Sequence, residues 1–463
     1  MTEPLPETPE TALSATQALC PVCLRRLPAH LVMRGQGEKA AEVWLTRVCP
    51  EHGPCEAVIW RGAPEFASWR RPKTPSTPPS LQTNPDQGCP FDCGLCAEHG
   101  QHTCTAVLEV TARCNLRCPV CYASAGETHA PDPPLNALAE RLRLLRRDAG
   151  ACNLQLSGGE PTLREDLPQL IALARPLGFG LVQLNTNGLR LGAEPGYAET
   201  LASAGLQSVF LQFDGSDAAS QVLRGRPLQQ AKLDALDACA RAGLGVVLVP
   251  TLLRGVNDQL LGDILRLALS RAPTVRGVHF QPAATFGRFA PEQSEERRLT
   301  LPEVLSLLVE QSQGQLRAQD FHPPCCEHER CSFSARFAVQ GGRLAPILEG
   351  GCCESGPLQA AEGARRAKAS VAGQWAAAPQ PFAAQPLGNC NLKGDDFERF
   401  LAERGAHKRF SISCMAFQDA ASLDIERVRG CCIHTQAPDG RLIPFCLYNL
   451  TAADGTPLYR SAP

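Results

Sequence analysis

Residues 105–122 read TAVLEVTARCNLRCPVCY, an apolar run of strand character that ends in Cys114, Cys118 and Cys121. One unit later NLQLSGGE (153–160) repeats the arrangement, a strand closing on Gly158, Gly159 and Glu160. Between them LNALAERLRLLRRDAG (135–150) spaces its apolar residues as an amphipathic helix does. The alternation continues with strands at 181–188, 208–215, 245–253 and 277–283, and helices near 165–176, 197–204, 229–242 and 258–270. Six strands with five intervening helices predict parallel βα units. The fold class expected is α/β, an open, partial (β/α)6 barrel, with its site at the C-terminal strand ends.

Three cysteines on such a loop have a chemical meaning. Three thiolates leave one iron of a [4Fe-4S] cluster uncovered and able to bind a ligand, whereas four would close it for electron transfer alone. The two glycines let backbone approach a ligand closely, and Glu160 offers an acceptor to an ammonium group. Tyr122, Asn187, Asp214, Thr251 and Gln281 sit at or near strand ends and are candidate ligand contacts.

The chain holds 23 cysteines in 463 residues. No export signal precedes them, so metal ligation is a better account than disulfides, and a cytoplasmic location is expected. Cys89, Cys93, Cys96 and Cys104 suit a closed auxiliary cluster or a zinc knuckle in which His99 or His102 replaces a cysteine. Cys20 and Cys23 with Cys49 and Cys55 describe a four-sulfur site for mononuclear iron or zinc, with His52 as a supporting group. In the C-terminal third, a two-residue turn at Asp439-Gly440 would set Ile433 opposite Cys446 and bring Cys431 or Cys432 near it. Cys326 and Cys331 could complete that set, with Cys414 as a substitute. Neighbours point apart on a strand, so one of each vicinal pair is expected to ligate. Cys152 and Cys239 read as packing residues.

GCPFDCGLCAEHGQHTC (88–104) running into EVTARCNLRCPVCYA, with CCIHTQAPDGRLIPFCLYN near the end, resembles the radical S-adenosylmethionine (SAM) superfamily. Within it the chain looks like the tetraether lipid synthase group, which includes proteins described as dihydro-hydroxymethylpterin methyltransferases. The resemblance implies a SAM-binding [4Fe-4S] cluster on Cys114, Cys118 and Cys121, and a SAM amino group near Gly158–Glu160. It also implies two auxiliary [4Fe-4S] clusters and a rubredoxin-like iron. Reductive cleavage of SAM to a 5′-deoxyadenosyl radical is the implied chemistry. Hydrogen abstraction and carbon–carbon coupling of lipid chains would follow, or methylation of a pterin-like molecule. Where that family often has an aromatic residue before the last cysteine, this chain has Val120.

The expected organisation is a disordered tail (1–19), a rubredoxin-like four-cysteine unit (20–69), a linker (70–83), an auxiliary cluster loop (84–104), the barrel (105–315), a Cys-containing extension (316–354), an Ala/Pro-rich insertion (355–388) and a C-terminal cluster unit (389–463) that opens with a helix, DDFERFLAERG. A net charge of −2 argues against nucleic acid. No apolar run reaches membrane-spanning length. The expected partners are a small-molecule or lipid substrate, a reducing donor such as flavodoxin or ferredoxin, and transient membrane contact if the substrate is lipid.

Overall fold

The structure, a computed structural model, describes residues 10–35, 41–126, 131–289, 295–347, 357–376 and 408–460. It begins with an antiparallel meander of β1 (Glu10–Leu19), β2 (Arg26–Arg34), β3 (Glu42–Cys49) and β4 (Gly53–Arg61). The tail expected over 1–19 is corrected here: Glu10–Leu19 pairs with β2 along its whole length. Composition misleads because the strand's anchor lies at its far end, where Ala18, Leu19 and Cys20 are fully buried. The 70–83 linker is also corrected. Lys73–Thr74 pairs with Leu358–Gln359, and Ser80 and Gln82 both donate to the Asp148 carboxylate.

The main sheet is built from β5 (Thr105–Thr111), β6 (Asn153–Gly158), β7 (Val182–Thr186), β8 (Ser208–Gln212), β9 (Gly245–Val249) and β10 (Val275–Pro282). They lie side by side in chain order, each parallel to the next. The C-terminal third adds β11 (Ser332–Gln340), β12 (Arg343–Pro346), β13 (Lys408–Met415), β14 (Ile433–Gln436) and β15 (Leu442–Pro444). β13 continues the parallel set beyond β10, and β14 does so beyond β5. β11, β12 and β15 finish the two edges in antiparallel fashion. The six-stranded unit is thus the middle of a longer parallel sheet.

Alternation along each strand divides the work. Leu108, Leu154, Leu156, Leu184, Leu211 and Leu248 are fully buried and belong to the main hydrophobic core. The helix Leu135–Ala149 packs into that core with Leu138, Leu142 and Leu145. The opposite face carries Val107, Gln155, Asn185, Gln212, His279 and Ser413, which line a single cavity. A sheet whose inward residues surround one space is a partial barrel.

The expected insertion holds a sixteen-residue helix, Ala360–Trp375, seated on this opening. A Cβ on its Gly363 would stand 2.0 Å from the Cys325 carbonyl oxygen, so glycine permits the contact. The anticipated helix at DDFERFLAERG, together with Cys352, Cys353 and Cys390, lies outside the described residues. The hairpin register is one residue off expectation: His434 faces Pro444, and the turn runs from Ala437 to Arg441 because the Ala437 N–H donates to the Arg441 carbonyl. Among the described residues no helix is long and apolar enough to cross a membrane.

Candidate active site

Strand ends β5, β6 and β7 are stitched together at the cysteine loop. The Gly159 N–H donates to the Thr111 carbonyl and the Glu160 N–H to that of Arg113, both at 2.8 Å. An added Cβ would meet those oxygens at 2.2 Å from Gly158 and 2.1 Å from Gly159. Only glycine admits so close an approach, and Gly158 also has a positive φ of 126°. Glu160, 1% exposed, accepts from Thr162 N and Oγ1, Thr186 Oγ1 and Asn187 N. Four donors occupy most of its acceptor capacity. The carboxylate expected to meet an ammonium group is therefore already committed to holding β6 against β7. Asn187 extends the seam, its Nδ2 donating to Asn115 Oδ1 of the cysteine loop at 2.7 Å.

Cys114, Cys118 and Cys121 are half-buried and open onto the cavity. Burial pushes the Cys114 thiol up to about 12, and raises that of Cys118 against the pull of the Arg224 charge. Thiols raised in this way give up their protons only to a metal that binds them as thiolates, so loading of the site through Cys114 and Cys118 releases protons. Two arginines fix the loop by its carbonyls. Arg224 donates to Val120 O, and Arg288 to Cys118 O and Ala125 O. Asp214 does not line the cavity as expected of a ligand contact. Its carboxylate is fully enclosed in a bidentate pair with Arg224. Arg224 and Thr251, which it also contacts, line the cavity instead. Gln281 and Tyr122 are on the wall, with the Tyr122 hydroxyl 3.0 Å from Ser157 Oγ.

The cavity has a volume of about 410 Å³. Part of its wall is aromatic: His279, Phe210 and Trp375 pack mutually, with ring centroids 5.4–5.9 Å apart, and His279 Nδ1 lies 2.8 Å from Ser413 Oγ. Burial lowers His279 to about 4, so it is neutral at ordinary pH.

The remaining sulfurs group differently from expectation. Cys104 leaves the upstream set, because β5 and β14 are paired: Cys104, Cys326 and Cys432 bring their sulfurs within 4.8 Å of one another. Cys89, Cys93 and Cys96 remain together around a small internal space that His99 also lines. His102 instead faces the Thr77 carbonyl. Cys446 Sγ accepts from the Gln418 N–H at 3.3 Å, Arg427 donates to Cys331 Sγ at 3.4 Å, and the Cys431 thiol faces the Ile433 carbonyl at 3.3 Å. Among the described residues Cys432, and not Cys431, joins Cys104 and Cys326, one member of that vicinal pair. Cys414, with Cys152 and Cys239, packs in the main core.

At the N-terminus Cys20, Cys23, Cys49 and the His52 ring converge, with Cys23 and Cys49 sulfurs 3.8 Å apart. Two sulfurs about 2.3 Å from a tetrahedral metal stand about 3.8 Å apart, so the set fits a mononuclear ion. Cys55 packs on the same sulfurs, and the fourth donor is either it or His52. Sequence reading missed Arg224, although Ser216 and Gly225, which cap its helix Asp217–Arg224, signal that helix. Arg288, Phe210, His279 and Trp375 carried no motif.

A three-cysteine loop after a first parallel strand, sealed by Gly-Gly-Glu on the next, defines a class, and the profile described as the Radical SAM superfamily matches residues 108–268. The chain belongs to the radical SAM superfamily, whose members use a [4Fe-4S] cluster and SAM. It is 34% identical to the 7,8-dihydro-6-hydroxymethylpterin dimethyltransferase of Methanocaldococcus jannaschii, over 94% of this chain and 93% of that one. Residues 12–61 match the HMPTM N-terminal zinc ribbon domain. A GTP 3',8-cyclase of Geobacter sulfurreducens is 33% identical over 38% of this chain and 55% of its own. A solved radical SAM methyltransferase from Sphaerobacter thermophilus aligns with TM-score 0.30 and 17% identity, over 66% of this chain and 76% of that one.

Proposed function

We propose that this enzyme methylates a pterin-like small molecule by SAM-derived radical chemistry. When bound, the cluster and SAM supply the 5′-deoxyadenosyl radical. Cys114, Cys118 and Cys121 would hold the cluster, Gly158 and Gly159 would present backbone to SAM, and Asn187, Gln281 and Tyr122 would orient ligands. The observation that carries the reading is the cavity, whose wall is shared by the cysteine loop and by Phe210, His279 and Trp375. Its volume falls within the range of small-molecule sites, about 300–1,000 Å³. Aromatic faces and the unpartnered Asn185 Oδ1 suit a flat heterocycle with a hydrogen-bond donor on its edge. The function named for the M. jannaschii relative supports the same class.

Lipid coupling is the second reading, favoured by the largely apolar wall that includes Val249, Ile347 and Phe333. The zinc ribbon match favours zinc over iron at the N-terminal site. A reducing partner of flavodoxin or ferredoxin type is part of either reading.

The test is anaerobic reconstitution with SAM, a reductant and a reduced hydroxymethylpterin, followed by mass spectrometry. A methylated pterin formed with SAM consumption is the expected result. An inert pterin, together with a long-chain lipid co-purifying in the cavity, would overturn the ranking.

A further inference from the structure

Cys104, Cys326 and Cys432 come from three separate elements: the end of the upstream loop, the segment before β11 and the segment before β14. The Cys104 N–H donates to the Cys432 carbonyl at 2.8 Å, and Gln101 Nε2 to the Cys326 carbonyl at 2.7 Å. Their sulfurs all lie within 4.8 Å of one another, and those of Cys104 and Cys432 are 3.0 Å apart. This is too tight for the auxiliary [4Fe-4S] cluster that the family resemblance implies. Each thiolate of a four-iron cluster binds a different iron, and the cage between them holds the sulfurs apart. Thiolates sharing one tetrahedral ion at about 2.3 Å stand about 3.8 Å from one another, and this set is spaced for that.

The surroundings call for a cation. All three cysteines are buried, and Ala364, Ala367 and Ile433 pack on them without offering a side-chain hydrogen bond. Glu327 Oε2 lies 3.7 Å from the Cys432 sulfur, while Ser332 Oγ donates to Oε1 and fixes the carboxylate's orientation. Three thiols and a carboxylate enclosed together are a poor arrangement unless a positive charge sits among them. No fourth cysteine joins the set among the described residues, and Cys325 turns its sulfur toward the Gly363 carbonyl, 3.7 Å away. Cys104, Cys326 and Glu327 line the active-site cavity, so the side of the set left without a protein sulfur is the cavity side.

We propose that Cys104, Cys326 and Cys432 hold a single zinc ion whose fourth coordination position opens into the substrate cavity, where a nitrogen or oxygen of the substrate binds. Three protein ligands and one exchangeable position are the pattern of a zinc that handles substrate, whereas structural zinc is closed by four. Soft thiolates select zinc among common divalent ions, and zinc has no redox chemistry to intercept a radical formed in the same cavity. Glu327 stands on the same stretch of wall as a hydrogen-bond acceptor for the bound heteroatom. The substrate's part in this rests on the cavity reading above, and the ion's does not.

The experiment uses the full chain, purified without oxygen and assayed for zinc, iron and acid-labile sulfide. Cys326→Ser and Cys432→Ser should each lose one zinc per chain while iron and sulfide stay at the wild-type level. Exchange of zinc for cobalt(II) then reads the fourth position in the wild-type protein, with no variant needed. Imidazole, a small heterocycle, should shift the visible ligand-field bands, since the N-terminal site has four protein donors and stays silent. Loss of iron and sulfide together in the serine variants would show a cluster and overturn the proposal. Unchanged zinc in both variants, or a Cys104–Cys432 disulfide in freshly purified protein, would overturn it too. Cobalt bands indifferent to imidazole would refute the open position. A reduced hydroxymethylpterin that leaves the bands unmoved where imidazole shifts them would count against the pterin substrate and leave the ion standing.

Discussion

Gly159→Ala is the most direct probe of how the cysteine loop proposed to hold SAM is positioned. The new Cβ would stand 2.1 Å from the Arg113 carbonyl oxygen, 2.7 Å from its carbon and 2.9 Å from the Ala112 oxygen. Carbon–oxygen contacts ordinarily settle near 3.3 Å or more, so the two strand ends must part by about 1.2 Å. The obstacle is backbone, which cannot rotate aside, and Arg113 directly precedes Cys114. Overpacking of this kind costs about 1–3 kcal/mol in stability. A displacement of about 1 Å in a reactive geometry costs about 100-fold in rate, near 2.7 kcal/mol of barrier. The assay is 5′-deoxyadenosine formation by anaerobic protein with SAM and dithionite, beside iron content and SAM affinity. We expect a loss of about 100-fold with most of the iron retained. Gly373→Ala is the control, since nothing lies within 4 Å of that exposed helical glycine. A Gly159→Ala protein that cleaves SAM at the wild-type rate would refute the idea that this contact sets the geometry.

Other outcomes follow from the same geometry. His279 is held near 4 by burial while the unfolded chain takes up its proton below about 6.5, so stability should fall as pH drops through that interval. His279→Gln should lessen that fall by up to about 2 kcal/mol, read from urea midpoints at pH 6.5 and 4.5. Trp375→Ala removes a ring that stacks near Phe210 and donates to Ser411 Oγ at 3.0 Å. Substrate binding should weaken about tenfold while substrate-free SAM cleavage persists. Cys432→Ser should lose the metal shared with Cys104 and Cys326, while Cys431→Ser should keep it, read from metal content. Equal metal loss in the two variants would refute the assignment.

The barrel was legible because its strands are local apolar runs separated by helices of amphipathic spacing. The cysteine loop was legible because it is entirely local, running from Cys114 to Tyr122. What escaped was non-local. Cys104 sits eight residues from Cys96, yet the pairing of β5 with β14 carries it to Cys432 instead. Asp214 ends a strand as a ligand contact would, but a helix ten residues later returns Arg224 to cover it. The strand at Glu10–Leu19 hid behind a polar composition, since its outer stretch is exposed and only its end is anchored.

The placing of β14 against β5 also bears on biogenesis. A ribosome delivers Cys104 long before Cys326, and Cys432 later still, across a separation of 328 positions. Closing so long a span is slow and entropically unfavourable until the final strand docks. Metal delivered to a nascent chain would therefore meet an unfinished nest, whereas the N-terminal ion, drawn from residues 20–55, could be captured while synthesis continues. Maturation should thus proceed in an order written by topology, with the small tetrahedral site first and this three-cysteine set only after release.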